Sequence, residues 1–273
     1  MKTLKIDWIL DAGTTYKTEN DQDLVFRRIG TDSSSDITIK VDGSKCGTIN
    51  SYVAPLRITT TARLGPLDLG DKFIVVPNGH EYLFDGSGNI RVLGELIKLD
   101  PGEVPPADLI ARYREQFHKY YIAISSSYSF GGATAWSAGS EVQVYSLTPS
   151  TNERYTFNKF IRMEQSGITY STGDISVLFL FDDIPQYNLH STAGEVGLDF
   201  DSFVATSDRL ELFSLADNPV VVPGDHTWTV KCKNVSGGDL SLSSASITMY
   251  TCLLYTSDAA DDGESVDLGG RRI

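Results

Sequence analysis

Residues 69–84 (LGDKFIVVPNGHEYLF) and 215–230 (LADNPVVVPGDHTWTV) align without a gap at a separation of 146 residues, with six of sixteen positions identical. Average composition would give about one. The unlike positions match in kind: Tyr82 falls on Trp228, Ile74 on Val220 and Phe84 on Val230. Such a chain is expected to be one folding unit duplicated in tandem.

Outside the core of the repeat, apolar and polar residues alternate with period two, the pattern of half-buried strands. Examples are Ile37-Thr38-Ile39-Lys40-Val41, Leu56-Arg57-Ile58, Ile90-Arg91-Val92 and Val142-Gln143-Val144-Tyr145. Gly, Asp, Ser and Asn clusters separate these runs. Many short strands at this spacing predict an all-β protein of two antiparallel, jelly-roll-like sandwiches. The duplication extends outward: Asp36-Ile37-Thr38-Ile39 corresponds to Asp174-Ile175-Ser176-Val177, and residues 56–60 to 202–206. Past the core, Ile90-Arg91-Val92 falls on Leu240-Ser241-Leu242 and Ile97-Lys98-Leu99 on Ile247-Thr248-Met249. The offset there is 150, which predicts a longer hairpin near residues 233–239 of the second unit. The expected organisation is a first sandwich over 1–99, a helical connector over 100–121 and a second sandwich over 122–251.

One helix is predicted between the units. Pro105-Pro106 opens it, and proline suits a first helical turn. Leu109, Ile110, Tyr113, Phe117, Tyr120 and Tyr121 then recur at helical spacing. The helix is expected over 106–120, with His118 and Lys119 near its negative end.

The repeat also carries the most chemistry-bearing pattern. Gly70-Asp71 followed by Pro77-Asn78-Gly79-His80 resembles the second conserved motif of cupins; the duplicate reads Ala216-Asp217 and Pro223-Gly224-Asp225-His226. The resemblance implies a metal held by histidine. A cupin centre also needs an upstream His-x-His and a carboxylate converging from several strands. The histidines are His80, His118, His190 and His226, and no His-x-His occurs. The expected role of each Pro-x-x-His is therefore a corner set by Pro and Gly, with no catalytic, cofactor or metal residues assigned. Ala135-Trp136-Ser137-Ala138-Gly139 fits a loose nucleophile elbow, but strand alternation follows where a helix is required, so Ser137 is expected in a loop. Residues 20–23, Asp182-Asp183 and Glu195 with Asp199 and Asp201 offer carboxylates for Ca²⁺, without EF-hand spacing. Asn234-Val235-Ser236 is a glycosylation sequon.

Residues 252–273 (CLLYTSDAADDGESVDLGGRRI) resemble a translated transposon-type sequencing adapter. The adapter bases TGT-CTC-TTA-TAC-ACA-TCT encode Cys252 to Ser257, and a second constant stretch encodes Val266 to Ile273 in the same frame. The resemblance implies a non-native tail, an uncultured environmental source and a second unit that closes at Tyr250 or Thr251.

The net charge is −13, of which the tail's five acids and two arginines supply −3. Acidity without a Lys/Arg run excludes a phosphate-backbone footprint, so no nucleic-acid partner is expected. Outside the tail the cysteines are Cys46 and Cys232, too few for a disulfide framework. No run approaches a membrane span, and Asp7 and Asp11 interrupt any signal-peptide core.

Strand pattern, duplication and the absence of a catalytic set together resemble the tandem jelly-roll structural proteins of viruses and phages. That resemblance implies a non-enzymatic virion protein, capsid or tail-associated, that multimerises without a cofactor. Its contact elements would be the 106–121 helix and the loops around 130–136 and 185–197. A soluble carbohydrate- or receptor-binding module is the alternative, prompted by Tyr128, Phe130 and Trp136 as loop aromatics; a degenerate bicupin enzyme is a further one.

Overall fold

The structure is a computed structural model; it describes residues 1–58, 64–186, 197–204, 213–217 and 219–257. The first half contributes β1 (Lys2–Asp11), β2 (Thr15–Lys17), β3 (Gln22–Thr31), β4 (Ile37–Val41), β5 (Ser44–Ile49), β6 (Leu67–Asp68), β7 (Ile74–Val76), β8 (Glu81–Asp85) and β9 (Asn89–Lys98). Helix α1 (Ala107–Glu115) follows. The second half contributes β10 (Lys119–Ser129), β11 (Ala135–Trp136), β12 (Glu141–Leu147), β13 (Glu153–Thr169), β14 (Ile175–Phe181), β15 (Ile184–Pro185), β16 (Leu198–Asp199), β17 (Phe213–Ser214), β18 (Val220–Val222), β19 (Trp228–Asn234) and β20 (Leu240–Ser257).

The strands form because their alternation places one face in a core. In β4, Ile37, Ile39 and Val41 are buried, whereas Thr38 and Lys40 are half-buried. The sheet order β1-β9-β3-β6, with β7 also on β3, faces the order β2-β8-β4-β5. The same connectivity returns as β10-β20-β13-β17, with β18 also on β13, facing β12-β19-β14-β15. The fold is thus all-β, two jelly-roll-like sandwiches related by duplication. The second hairpin is the longer one, with residues 235–239 linking β19 to β20 where residues 86–88 link β8 to β9.

The two sandwiches are joined by a single sheet. β5 of the first pairs in parallel with β10 of the second at Thr48 and Ile122, giving the order β17-β13-β20-β10-β5-β4-β8-β2. β20 therefore serves two cores. Ile247, Met249 and Leu253 enter the core of the second sandwich, while Tyr250, Cys252 and Leu254 enter that of the first. A bulge in β13 sets residues 158–160 opposite one residue of β20. It turns Phe160 toward the first core and lets Lys159 Nζ donate to the Asp68 carbonyl at 3.0 Å.

Several expectations are corrected. α1 ends at Glu115, and Tyr120 and Tyr121 belong to β10, where they pair with Tyr255 and Leu254. The expected connector boundary after residue 121 thus falls inside a strand. An aromatic run fits both periods, and the neighbouring strand decides. Leu56-Arg57-Ile58 is not a strand: Ile58 is exposed, and one bridge at Pro55 to Thr31 is all the pairing there. The second unit does not close at Tyr250 or Thr251, because β20 runs on to Ser257 with Cys252 and Leu253 fully buried. The six adapter-like residues are β-compatible and lie between β10 and β13, so both faces are covered. Residues 59–60 and 205–206 of the match between 56–60 and 202–206, most of the loop 185–197, and His190 lie outside the described residues.

α1 rests on the outer face of the first sheet. Leu109 packs with Val25, Val75, Ile97 and Leu99. Arg112, 4% exposed, donates to the carbonyls of Phe73 (2.7 Å), Lys72 (3.1 Å) and Lys119 (3.1 Å). The buried Gln116 side chain accepts from the Val75 N–H at 2.8 Å and donates to the Val75 carbonyl at 3.0 Å. It stands in for the strand that the β7 edge lacks.

Candidate functional site

The Pro-x-x-His motifs form corners, as their residue types predict. His80 N donates to the Pro77 carbonyl (3.2 Å) and His226 N to the Pro223 carbonyl (3.4 Å). The third residue of each turn has positive φ, 73° at Gly79 and 64° at Asp225. Each corner delivers its histidine to the start of a strand whose next inward residue, Tyr82 or Trp228, is buried.

Each histidine meets an aspartate from a hairpin turn of the same sheet. His80 Nδ1 donates to Asp42 Oδ2 at 2.5 Å, and His226 Nδ1 donates to Asp182 Oδ2 at 2.6 Å. The other oxygen of each carboxylate accepts a backbone N–H, from Glu81 at 3.1 Å and Thr227 at 2.8 Å. Both aspartates sit in the left-handed region, φ 50° and 49°, which Asp and Asn tolerate best. The turns follow Val41 and Phe181, paired with Tyr82 and Trp228. Asp42 is therefore the structural counterpart of Asp182, and the sequence match of Asp36 to Asp174 lies two residues out of register.

The surroundings differ. At the first corner Tyr113 of α1 donates its hydroxyl to Asp42 Oδ2 at 2.8 Å and meets His80 edge-on. At the second, Phe181 stacks on His226. At Asp42 partial burial pulls the pKa up, but the hydrogen bonds from His80, Glu81 and Tyr113 outweigh it and hold the carboxyl below its ordinary value. At Asp182 the Thr227 N–H and then His226 lower it. Burial and the Asp42 contact push the Tyr113 phenol up to about 12.

Chemically, a carboxylate on Nδ1 selects, for the neutral imidazole, the tautomer with Nε2 as acceptor, the arrangement of a general base or a metal-ligating histidine. Either role needs further groups. Among the described residues no three His, Cys, Asp or Glu side chains come together as a metal set. The remaining acidic candidates have other duties. Asp21 pairs with Lys98, the buried Asp23 accepts from the Asn78 N–H, Asp199 accepts from the Asp201 N–H, and Asp201 accepts from the Tyr170 hydroxyl. Glu195 lies outside the described residues.

Other singled-out residues are structural. Trp136 is not a loop-surface aromatic: it is 3% exposed and belongs to the second core, with Phe130 tilted against it and Tyr128 edge-on to Phe130. Ser137 sits in a turn closed by the Ser140 N–H and is followed by β12. Asn234 is fully buried, with its amide donating to the Trp136 and Gly238 carbonyls, so the folded protein offers no sequon there. No helix among the described residues is long and apolar enough to cross a membrane.

No family model matches the chain, and no curated protein matches it. Solved structures similar to it include a conserved protein of unknown function from Pseudomonas aeruginosa PAO1, with 8% identity, a TM-score of 0.21, and 93% of this chain and 80% of that one covered. The major capsid protein of bacteriophage PM2 shares 8% identity at a TM-score of 0.28, over 93% of this chain and 99% of that one. Peptide:N-glycanase F shares 9% at 0.26, over 93% of each. Capsid proteins of phage and virus are thus among the weak neighbours, beside a glycanase, and none of them assigns a family or an activity.

Proposed function

We propose that this chain is a structural subunit that assembles with copies of itself into a shell, the role of a capsid or capsid-associated virion protein. The observation that carries the reading is the junction at Thr48 and Ile122, where one ten-stranded sheet ties two copies of the same sandwich side by side. Lateral joining through sheet edges already operates within one chain, and a body built this way can be extended by further copies. Of the residues that prompted a glycan-binding reading, Trp136 is in the core and Tyr128 and Phe130 are half-buried against it, which supports assembly over that reading. The Asp–His corners fit a subunit of this kind as clamps that fix two equivalent loops.

Light scattering and negative-stain electron microscopy on the purified full chain test the reading. Concentration-dependent growth into discrete, ordered multimers is expected. A strictly monomeric chain at millimolar concentration overturns it.

A further inference from the structure

β1 ends its sheet, and no described strand pairs with its outer edge. It is ten residues long, and Leu4 (44%) and Ile9 (56%) are exposed along it. Leu4 shares the inward face with Ile6, Trp8 and Leu10, which pack on the first core, so its exposure marks a place where that core lacks a cover. A long unpaired edge of this kind is a template for strand addition. In the duplicate, the corresponding edge strand, β10, is covered by β5.

The sequence of β1 specifies what pairs with it. From residue 2 it reads Lys-Thr-Leu-Lys-Ile-Asp-Trp-Ile-Leu-Asp. A second β1 laid antiparallel about a two-fold axis opposes residue i to residue j with a constant sum. That sum must be even, because only residues of like parity point their N–H and C=O groups to the same edge and their side chains to the same face. A sum of 10 sets Lys5 against Lys5, and a sum of 14 sets Asp7 against Asp7; like charges directly opposed are unfavourable. A sum of 12 puts Ile6 on the axis. It sets Lys5 twice against Asp7 of the other copy, where Asp7 already accepts from Arg91 of β9 at 2.8 and 2.7 Å and Lys5 would join that pair from the other side. It also covers Leu4 with Trp8, opposes Thr3 to Ile9, and overlaps residues 2–10 of the strand.

We infer that the β1 edge binds the β1 edge of a second copy of this chain, antiparallel and centred on Ile6, so that the β1-β9-β3 sheet continues across a two-fold axis. The inference deepens the assembly reading by naming one of its contacts. Main-chain hydrogen bonds supply most of the attraction, and the two Lys5–Asp7 pairs fix the register.

Sedimentation velocity on the full chain, with Lys5→Asp, Asp7→Lys and the double variant, tests it at low ionic strength, with thermal unfolding to establish that each variant folds. Each single change is expected to weaken self-association by about tenfold, since two exposed pairs become repulsive together. The double change is expected to restore it to within about threefold. Ile6→Cys is expected to give a disulfide-linked dimer under mild oxidation, and Thr3→Cys is not, because the native cysteines are buried and Thr3 faces Ile9. Multimers that ignore the charge changes, or an Ile6→Cys chain that does not cross-link, overturn the β1 contact and leave the assembly reading standing. A monomer at all concentrations overturns both.

Discussion

His80 Nδ1 lies 2.5 Å from Asp42 Oδ2 across 38 residues of sequence, and the equivalent contact of His226 with Asp182 spans 44. The contact was kept while six more residues entered the second copy between the same two groups. The corner and the hairpin turn thus behave as one closed unit that tolerates insertion in the chain between them.

Acid should loosen both corners. A carboxylate with a depressed folded pKa adds stability that is complete above its unfolded value, near 3.8, and is lost as pH falls through the folded value. The Asp42→Asn/Asp182→Asn variant is expected to melt below the parent at pH 6, with the gap closing as pH falls below about 4. Thermal melts across that range measure it; a gap independent of pH would show that the carboxylate charges contribute nothing.

The Gln116 side chain satisfies both outward main-chain groups of Val75. Gln116→Ala leaves a buried N–H and C=O without partners and is expected to cost about 2–4 kcal/mol. Urea unfolding should show a lower midpoint with an unchanged slope. Hydrogen exchange should quicken first at Val75.

Because the two cores share β20, the chain should unfold in one calorimetric transition. Phe84→Ala in the first core and Phe179→Ala in the second, both fully buried, are each expected to remove roughly 3–5 kcal/mol from that same transition. Two resolved endotherms, each sensitive to one variant, would show that the cores are independent.

Ending the chain at Thr251 is expected to destabilise both halves. Loss of Leu253 alone uncovers the second core at a cost of roughly 2–5 kcal/mol, and loss of Cys252 and Leu254 uncovers the first. Any β-compatible hexapeptide with apolar residues at these three positions should restore the melting temperature. Unchanged melting on truncation would mean that β20 ends where the adapter-like residues begin.

Much of this fold was legible because the repeat rests on residues with strong local meaning. Pro77 and His80 mark the same corner as Pro223 and His226, and the buried Tyr82 and Trp228 follow at the same distance. The aspartates that complete the corners were not legible. They lie far upstream, and a bare match of Asp-Ile-Thr-Ile to Asp-Ile-Ser-Val selects the wrong aspartate in a strand two residues longer in the second copy. An Asp-Gly or Asp-Asp pair ending an apolar strand was the available signal, since such pairs form the tight turns of hairpins. The end of α1 was missed because Tyr120 and Tyr121 satisfy helical spacing as well as strand alternation. Trp136 was read as exposed because turn residues surround it, while β20 buries it.

A strand with solvent on one side can let half of its residues drift. The stretch of β20 from Met249 to Leu254 has no such idle half: all six residues are buried, Met249 and Leu253 against the second core and Tyr250, Cys252 and Leu254 against the first. Every substitution there is judged by one copy or the other. Duplication usually frees one copy to diverge or be discarded; here a strand of the second copy walls the first, so removing it would open both.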